Sequence, residues 1–214
     1  MATGVQFNGT STYITFPTTG LPLNVGTMEV RFNSASTAAE KGLLDLGDTG
    51  AGQKHCLYVA AGGGLRYYVS GSEVQLQAIS TSTNYLASAS FFNNTQLTYL
   101  DGLWKISGTL TNATSYGVAQ IGRYNSAYFF SGVISEVRIW TSVQSPEQVL
   151  LYSKRKLLGN EDGLCCYFDF SEGTGSTLTD KVGGRIGTIN NGSWVTSAPD
   201  LLTGSPRTIL GGLI

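Results

Sequence analysis

The segment Phe130 to Tyr152, FSGVISEVRIWTSVQSPEQVLLY, constrains this chain more than any other. From Val133 to Trp140 apolar and polar residues alternate, and a period of two is the mark of a strand with one buried face. That alternation puts Val133, Ser135, Val137 and Ile139 on one face and Ile134, Glu136, Arg138 and Trp140 on the other. A few residues later Ser145 precedes Pro146 and stands three before Gln148. This order predicts a helix N-cap with proline at the first helical position and a capping-box partner at the third. Lys154, Arg155 and Lys156 follow, and Gly159 reads as a stop, so the helix is short and lies near 145–154.

Strand signals recur along the whole chain, separated by turn residues. Strands are expected at Val5–Phe7, Tyr13–Phe16, Thr27–Phe32, Gly42–Leu46, Cys56–Ala60, Leu65–Val69, Val74–Ala78, Gln96–Leu100, Leu103–Ser107, Val118–Ile121, Leu164–Phe170 and Thr188–Ile189, besides the signature strand. Asp101-Gly102 joins two of them as a two-residue hairpin turn, and Gly62-Gly63-Gly64 joins another pair. Many short strands with almost no helix imply two antiparallel sheets packed face to face, an all-β sandwich. A single unit of 214 residues is long enough to bury a substantial core that way.

The run GVISEVRIWTSVQSPEQV resembles the signature of the laminin-G-like, concanavalin A-like lectin/glucanase jelly-roll superfamily. Val5–Phe16, VQFNGTSTYITF, is similar to that family's opening hairpin, and Leu164–Thr188 to a later segment with a D/S-E-G-x-G turn. The resemblance implies one jelly-roll domain over 1–198, followed by a tail over 199–214. It also implies ligands as varied as sugars, proteins and calcium, since a fold does not fix a function. A calcium ion would be held by loop carboxylates, with Asp45 and Asp48 the candidates and Asp169, Glu172 and Asp180 beside them, though turn formation through side-chain to main-chain hydrogen bonds is the favoured reading of each. The opening hairpin lacks the family's acidic pair before Tyr13, which weakens the calcium case at that loop.

Catalysis finds little support. Glycosidases of this fold type carry two carboxylates on one strand so that both face the sugar, and no such pair occurs here. Glu136 stands alone on its strand. The single histidine, His55, adjoins Cys56, and neighbours on a strand point to opposite faces, so the two cannot act as a thiolate–imidazole pair. The chain is therefore expected not to be an enzyme.

Binding by aromatic side chains remains, because a tyrosine face stacks on the C–H face of a sugar while amide, carboxylate and guanidinium groups take its hydroxyls. With eleven tyrosines the chain offers two clusters. One is Tyr58, Arg66, Tyr67 and Tyr68; the other is Arg123, Tyr124, Asn125 and Tyr128 in a loop. The expected ligand contacts are Arg66, Tyr68, Arg123, Tyr124, Asn125 and Tyr128.

Charge excludes some partners. With 13% charged residues and a net charge of −1, the chain lacks the basic surplus that phosphate backbones demand, so nucleic acid is not expected. No segment reaches the length of a membrane span, and the N-terminus has no basic, apolar leader. The Met-Ala start favours a complete reading frame, and together with the Ser, Thr and Asn-rich composition it leads us to expect a virion surface, or else an extracellular assembly. The tail from Pro199, PDLLTGSPRTILGGLI, is too apolar to stay solvated and is expected to dock on its own domain or on a neighbouring subunit as a homo-oligomer. Two functions stay open: a surface glycan-binding module for attachment, and a structural decoration or fibre protein acting through subunit contacts.

Overall fold

The structure, a computed structural model, describes residues 2–47, 54–69, 71–109 and 116–200. Two antiparallel sheets face each other. In spatial order the first runs β10 (Leu103–Thr109), β9 (Thr95–Leu100), β8 (Asn84–Phe92), β3 (Val25–Ser34), β14 (Ser131–Trp140), β1 (Gly4–Asn8) and β18 (Ser193–Val195). A further strand, β15 (Leu164–Phe168), pairs with the second half of β14. The opposing sheet runs β16 (Thr177–Thr179), β17 (Ile186–Asn190), β2 (Tyr13–Phe16), β11 (Val118–Ile121), β4 (Lys41–Gly47), β5 (Lys54–Val59), β6 (Gly64–Val69) and β7 (Ser72–Ala78). A small hairpin, β12 (Arg123–Tyr124) and β13 (Tyr128–Phe129), completes the strands. The architecture is the expected jelly-roll sandwich.

One core fills the space between the sheets, and alternation decides which side chains enter it. Val30 and Phe32 of β3, Ala87, Ala89 and Phe91 of β8, Leu57 and Val59 of β5, and Leu65, Tyr67 and Val69 of β6 are all buried there. The signature strand departs from strict alternation. Its pairing with β3 shifts by one residue between Ile134 and Glu136, a bulge that absorbs Ser135. Ile134 therefore joins Val137 and Ile139 in the core, while Glu136, Arg138 and Trp140 keep the outer face, which corrects the expected grouping of Ile134 with them.

The one helix of the described residues, α1 (Pro146–Ser153), starts as expected. Ser145 accepts from the Gln148 amide, and Gln148 accepts from the Ser145 amide, so both halves of the capping box form. Behind α1, Trp140 is fully buried and stacks on Tyr152 at 5.1 Å between ring centroids. Its indole N–H donates to Glu29 at 3.0 Å. The carboxylate of Glu136 is held by Arg31 and Arg138, both at 2.8 Å. Burial alone would raise the Glu136 pKa, but those two guanidiniums outweigh it and hold the carboxyl below its usual value.

Two expectations about strands need correction. The nine-residue β8 lies between β3 and β9 in the first sheet and was not expected, because its Ala and Ser residues carry weak strand preference. Cross-strand bonds supply what propensity lacks: Ser88 donates to Glu29, and Ser90 shares a hydrogen bond with Thr27. The strand starting at Leu164 ends at Phe168 rather than Phe170, since Phe170 takes a left-handed backbone, φ 54°, and turns the chain.

At the C-terminal end, Ser135 donates to the Pro199 carbonyl at 2.7 Å and Ala198 to the Ala2 carbonyl at 3.2 Å. The chain thus lies on its own first sheet up to Asp200. The apolar residues Leu201 to Ile214 fall outside the described residues. No described helix is long and apolar enough to cross a membrane.

Candidate functional site

The outer face of the second sheet is where register gathers polar and aromatic groups. Gln120 pairs with Asp45, Asp45 with Cys56, Cys56 with Tyr68, and Tyr68 with Glu73. Paired residues on neighbouring strands point to the same side, so these five form one row across four strand boundaries. Beside that row Tyr58 pairs with Arg66 and Arg66 with Gln75. The alternate residues, His55, Leu57 and Tyr67, enter the core instead. His55 has no exposed surface, hydrogen-bonds the Tyr67 hydroxyl, and has its pKa pushed down to about 3 by burial. It is a structural residue on the side opposite Cys56.

The small hairpin lies over this face. The Gly122 amide donates to the Leu43 carbonyl at 2.9 Å, and Phe130 returns to the Gly122 carbonyl at 2.8 Å, fixing both ends of the loop. A side chain at Gly42 would place its Cβ 2.4 Å from the backbone of Arg123 and Tyr124, so glycine there is what lets the hairpin cross β4. Asn125 and Ser126 both adopt φ 54°, the tight turn that sets Tyr124 opposite Tyr128. Their rings stack at 4.5 Å, and Tyr124 meets Tyr58 at 5.3 Å.

Between hairpin and sheet is a cleft of about 230 Å³ lined by Cys56, Tyr58, Tyr68, Glu73 and Tyr124. Its hydroxyls are oriented by carboxylates: Tyr58 donates to Glu73, and Tyr124 to Glu40. Burial, reinforced by those carboxylates, raises both phenol pKa values, so both stay neutral donors at any physiological pH. Arg66 pairs with the other oxygen of Glu73. Apolar ring faces with fixed polar edges are the chemistry of a small-molecule or sugar site.

Of the six expected contacts, Tyr68 and Tyr124 line the cleft, which unites the two clusters read separately in the sequence. Arg66 lies at the rim through Glu73, Tyr128 backs Tyr124, and Asn125 serves the turn. Arg123 is a correction. As the strand neighbour of Tyr124 it points to the other flank, stacks 3.6 Å above the Tyr13 ring, and donates through Nε to Gln120 at 2.6 Å. Glu73, Glu40 and Cys56 were missed. Glu73 was within reach, since two residues between Val69 and Ser72 predict a hairpin that sets it opposite Tyr68. Glu40 was not, because only the three-dimensional path of the hairpin brings it to Tyr124.

The calcium candidates do not converge. Among the described residues no group of three or more His, Cys, Asp and Glu side chains could hold a metal. Asp45 is buried in the outer row beside Cys56 rather than in an open loop, and Asp48 lies outside the described residues. Asp180 accepts the Tyr167 and Val182 amides and pairs with Arg185 at 2.7 Å. Glu172 accepts the Thr179 amide, and Asp169 that of Ser171, so these carboxylates shape turns. The cysteines form no disulfide; Cys56 stands in one sheet, Cys165 and Cys166 in the other.

The concanavalin A-like lectin/glucanases superfamily matches residues 8–150. No curated protein matches the chain. A candidate carbohydrate-binding protein from Bacteroides ovatus is similar in structure with a TM-score of 0.76 and 18% identity, covering 94% of this chain and 62% of its own. The chain thus spans less than two thirds of that protein's length. The CBM40 of a Ruminococcus gnavus IT-sialidase, bound to α2,3-sialyllactose, matches with a TM-score of 0.59 and 15% identity over 69% of this chain and 95% of its own. Domains LG4-5 of the mouse laminin α1 chain match with a TM-score of 0.53 and 14% identity over 65% of this chain and 41% of theirs. At these identities the likeness is one of fold.

Proposed function

Since this chain belongs to the concanavalin A-like lectin/glucanases superfamily, we propose that it is a non-catalytic binding module whose ligand is a glycan seated between Tyr58, Tyr68 and Tyr124. The cleft carries this reading: it is half-open, walled by aromatic rings, and edged by hydroxyls and carboxylates fixed in place before any ligand arrives. Such preorganisation lowers the entropy lost on binding. Fold neighbours named for carbohydrate binding support the ligand class. The carboxylate positions support the absence of hydrolysis, since Glu136 is buried between two arginines on the far sheet and Glu73 is committed to Tyr58 and Arg66. The setting we propose is attachment at a virion or cell surface, on composition alone.

The test is a glycan array probed with the full chain, repeated with Tyr68→Ala and Tyr124→Ala. Binding to a defined set of sugars that both variants lose is the expected result. A folded chain that binds nothing on the array while forming a stable oligomer would instead support the structural, subunit-contact role.

A further inference from the structure

The charges around the cleft do not balance. Glu73 and Arg66 pair at its rim with side-chain exposures of 41% and 32%, and they offset each other. Glu40, which accepts from Tyr124, forms no ion pair among the described residues. The two basic groups nearest in sequence turn elsewhere. Lys41 is in register with Val59, whose side chain lies in the core, so it leaves β4 on the side away from Tyr58. Arg123 is spent on Tyr13 and Gln120 beyond the hairpin. Glu40 lies at the Tyr124 hydroxyl rather than in the lining itself, and it leaves the surroundings of the cleft net negative.

Its hydrogen-bonding groups are one-sided as well. At two of the three lining phenols, Tyr58 and Tyr124, the hydrogen points at a carboxylate, so toward the cleft those two hydroxyls offer lone pairs, as do the glutamates themselves. Such a lining accepts from sugar hydroxyls and from ammonium groups, and tyrosine faces attract a cation further. A ligand carboxylate meets repulsion and finds few donors.

We infer, on the reading that this cleft is the glycan site, that it takes neutral and amino sugars and rejects sugar acids, with Glu40 and Glu73 setting that choice. Titration of the full chain with 1,4-linked tetramers of glucose, glucosamine and glucuronic acid, and with the matching galacto series, reads it directly. The acidic tetramer of a series should bind roughly tenfold more weakly than the amino one at low salt, with the gap shrinking as salt rises. Glu40→Gln should narrow the gap. Glu73→Gln should reverse it, because Arg66 is then left at the rim with its fork open to a carboxylate. Acidic tetramers that bind the unaltered chain as tightly as neutral ones, or a gap that Glu40→Gln leaves unmoved, would overturn the inference and keep the cleft as the glycan site. A cooperatively melting chain that binds none of the tetramers and nothing on the array overturns both readings together.

Discussion

The two outer faces of the sandwich carry the same kinds of residue and put them to different uses. On the first sheet Glu29, Arg31, Glu136, Arg138, Trp140 and Tyr167 are all buried. The element that covers them is α1, whose final carbonyls have no partners within the helix. Arg31 donates to the Ser153 carbonyl at 3.0 Å, and Arg138 to those of Tyr152 at 2.8 Å and Arg155 at 3.1 Å. The arginines thus fasten the helix end to the sheet, and the glutamates hold the arginines. On the second sheet Tyr58, Arg66 and Glu73 make a similar chain of bonds, yet only the small hairpin lies above them and the cleft stays open. The Arg–Glu–Tyr set is a fastening under α1, while under the small hairpin it edges an open cleft.

The largest expected effect breaks the closed face. Trp140→Ala removes a fully buried indole, its stack on Tyr152 and its bond to Glu29, and should cost about 3 to 5 kcal/mol in a denaturant titration. A loss below about 1 kcal/mol would mean that the helix does not cover this face.

Acid should weaken the layer just beneath the open face. His55 is the single histidine of the chain, and burial holds its folded pKa at about 3, below the ordinary histidine value of 6.5. Between those values the unfolded chain binds a proton that the folded chain refuses, so this contribution is complete above pH 6.5 and is lost as the pH falls toward 3. At pH 5 the protein should be about 2 kcal/mol less stable than at pH 8. His55→Gln should flatten that slope, whatever it does to the baseline. An unchanged slope in the variant would assign it to other groups.

What the sequence made legible follows from how local each cause is. The signature strand, the Ser145 cap and the Asp101-Gly102 turn rest on neighbours a few residues apart, and all three form; Asp101 and Gly102 take φ 56° and 77°. The strand β8 was hidden because its Ala and Ser residues are chosen by packing against β3 and β9, not by their own preference. In the site, Tyr68 and Tyr124 were legible as aromatic residues on a strand and a loop. Their meeting was not, since it needs the hairpin to fold back over Gly42, a contact between positions far apart in the chain. Arg123 was misplaced for a simpler reason: adjacent strand residues cannot share a flank.

The smaller effects test the open face and then the cap of the closed one. Tyr68→Ala removes a half-buried wall of the cleft and should weaken sugar binding about tenfold or more, as loss of an aromatic anchor does, with little change in melting. Equal affinity in this variant would move the ligand off the cleft.

Ser145→Ala should do the reverse. The Ser145 hydroxyl accepts the Gln148 amide at 3.2 Å, and its loss strips one partner from the start of α1, costing about 1 kcal/mol of stability. Sugar affinity should not change, because α1 covers the first sheet and the cleft belongs to the second. Both quantities can be read on one preparation, by a denaturant titration and a sugar titration. If Ser145→Ala lowers affinity as well as stability, the two faces are coupled through the core, and the division of the sandwich into a fastened face and a binding face fails.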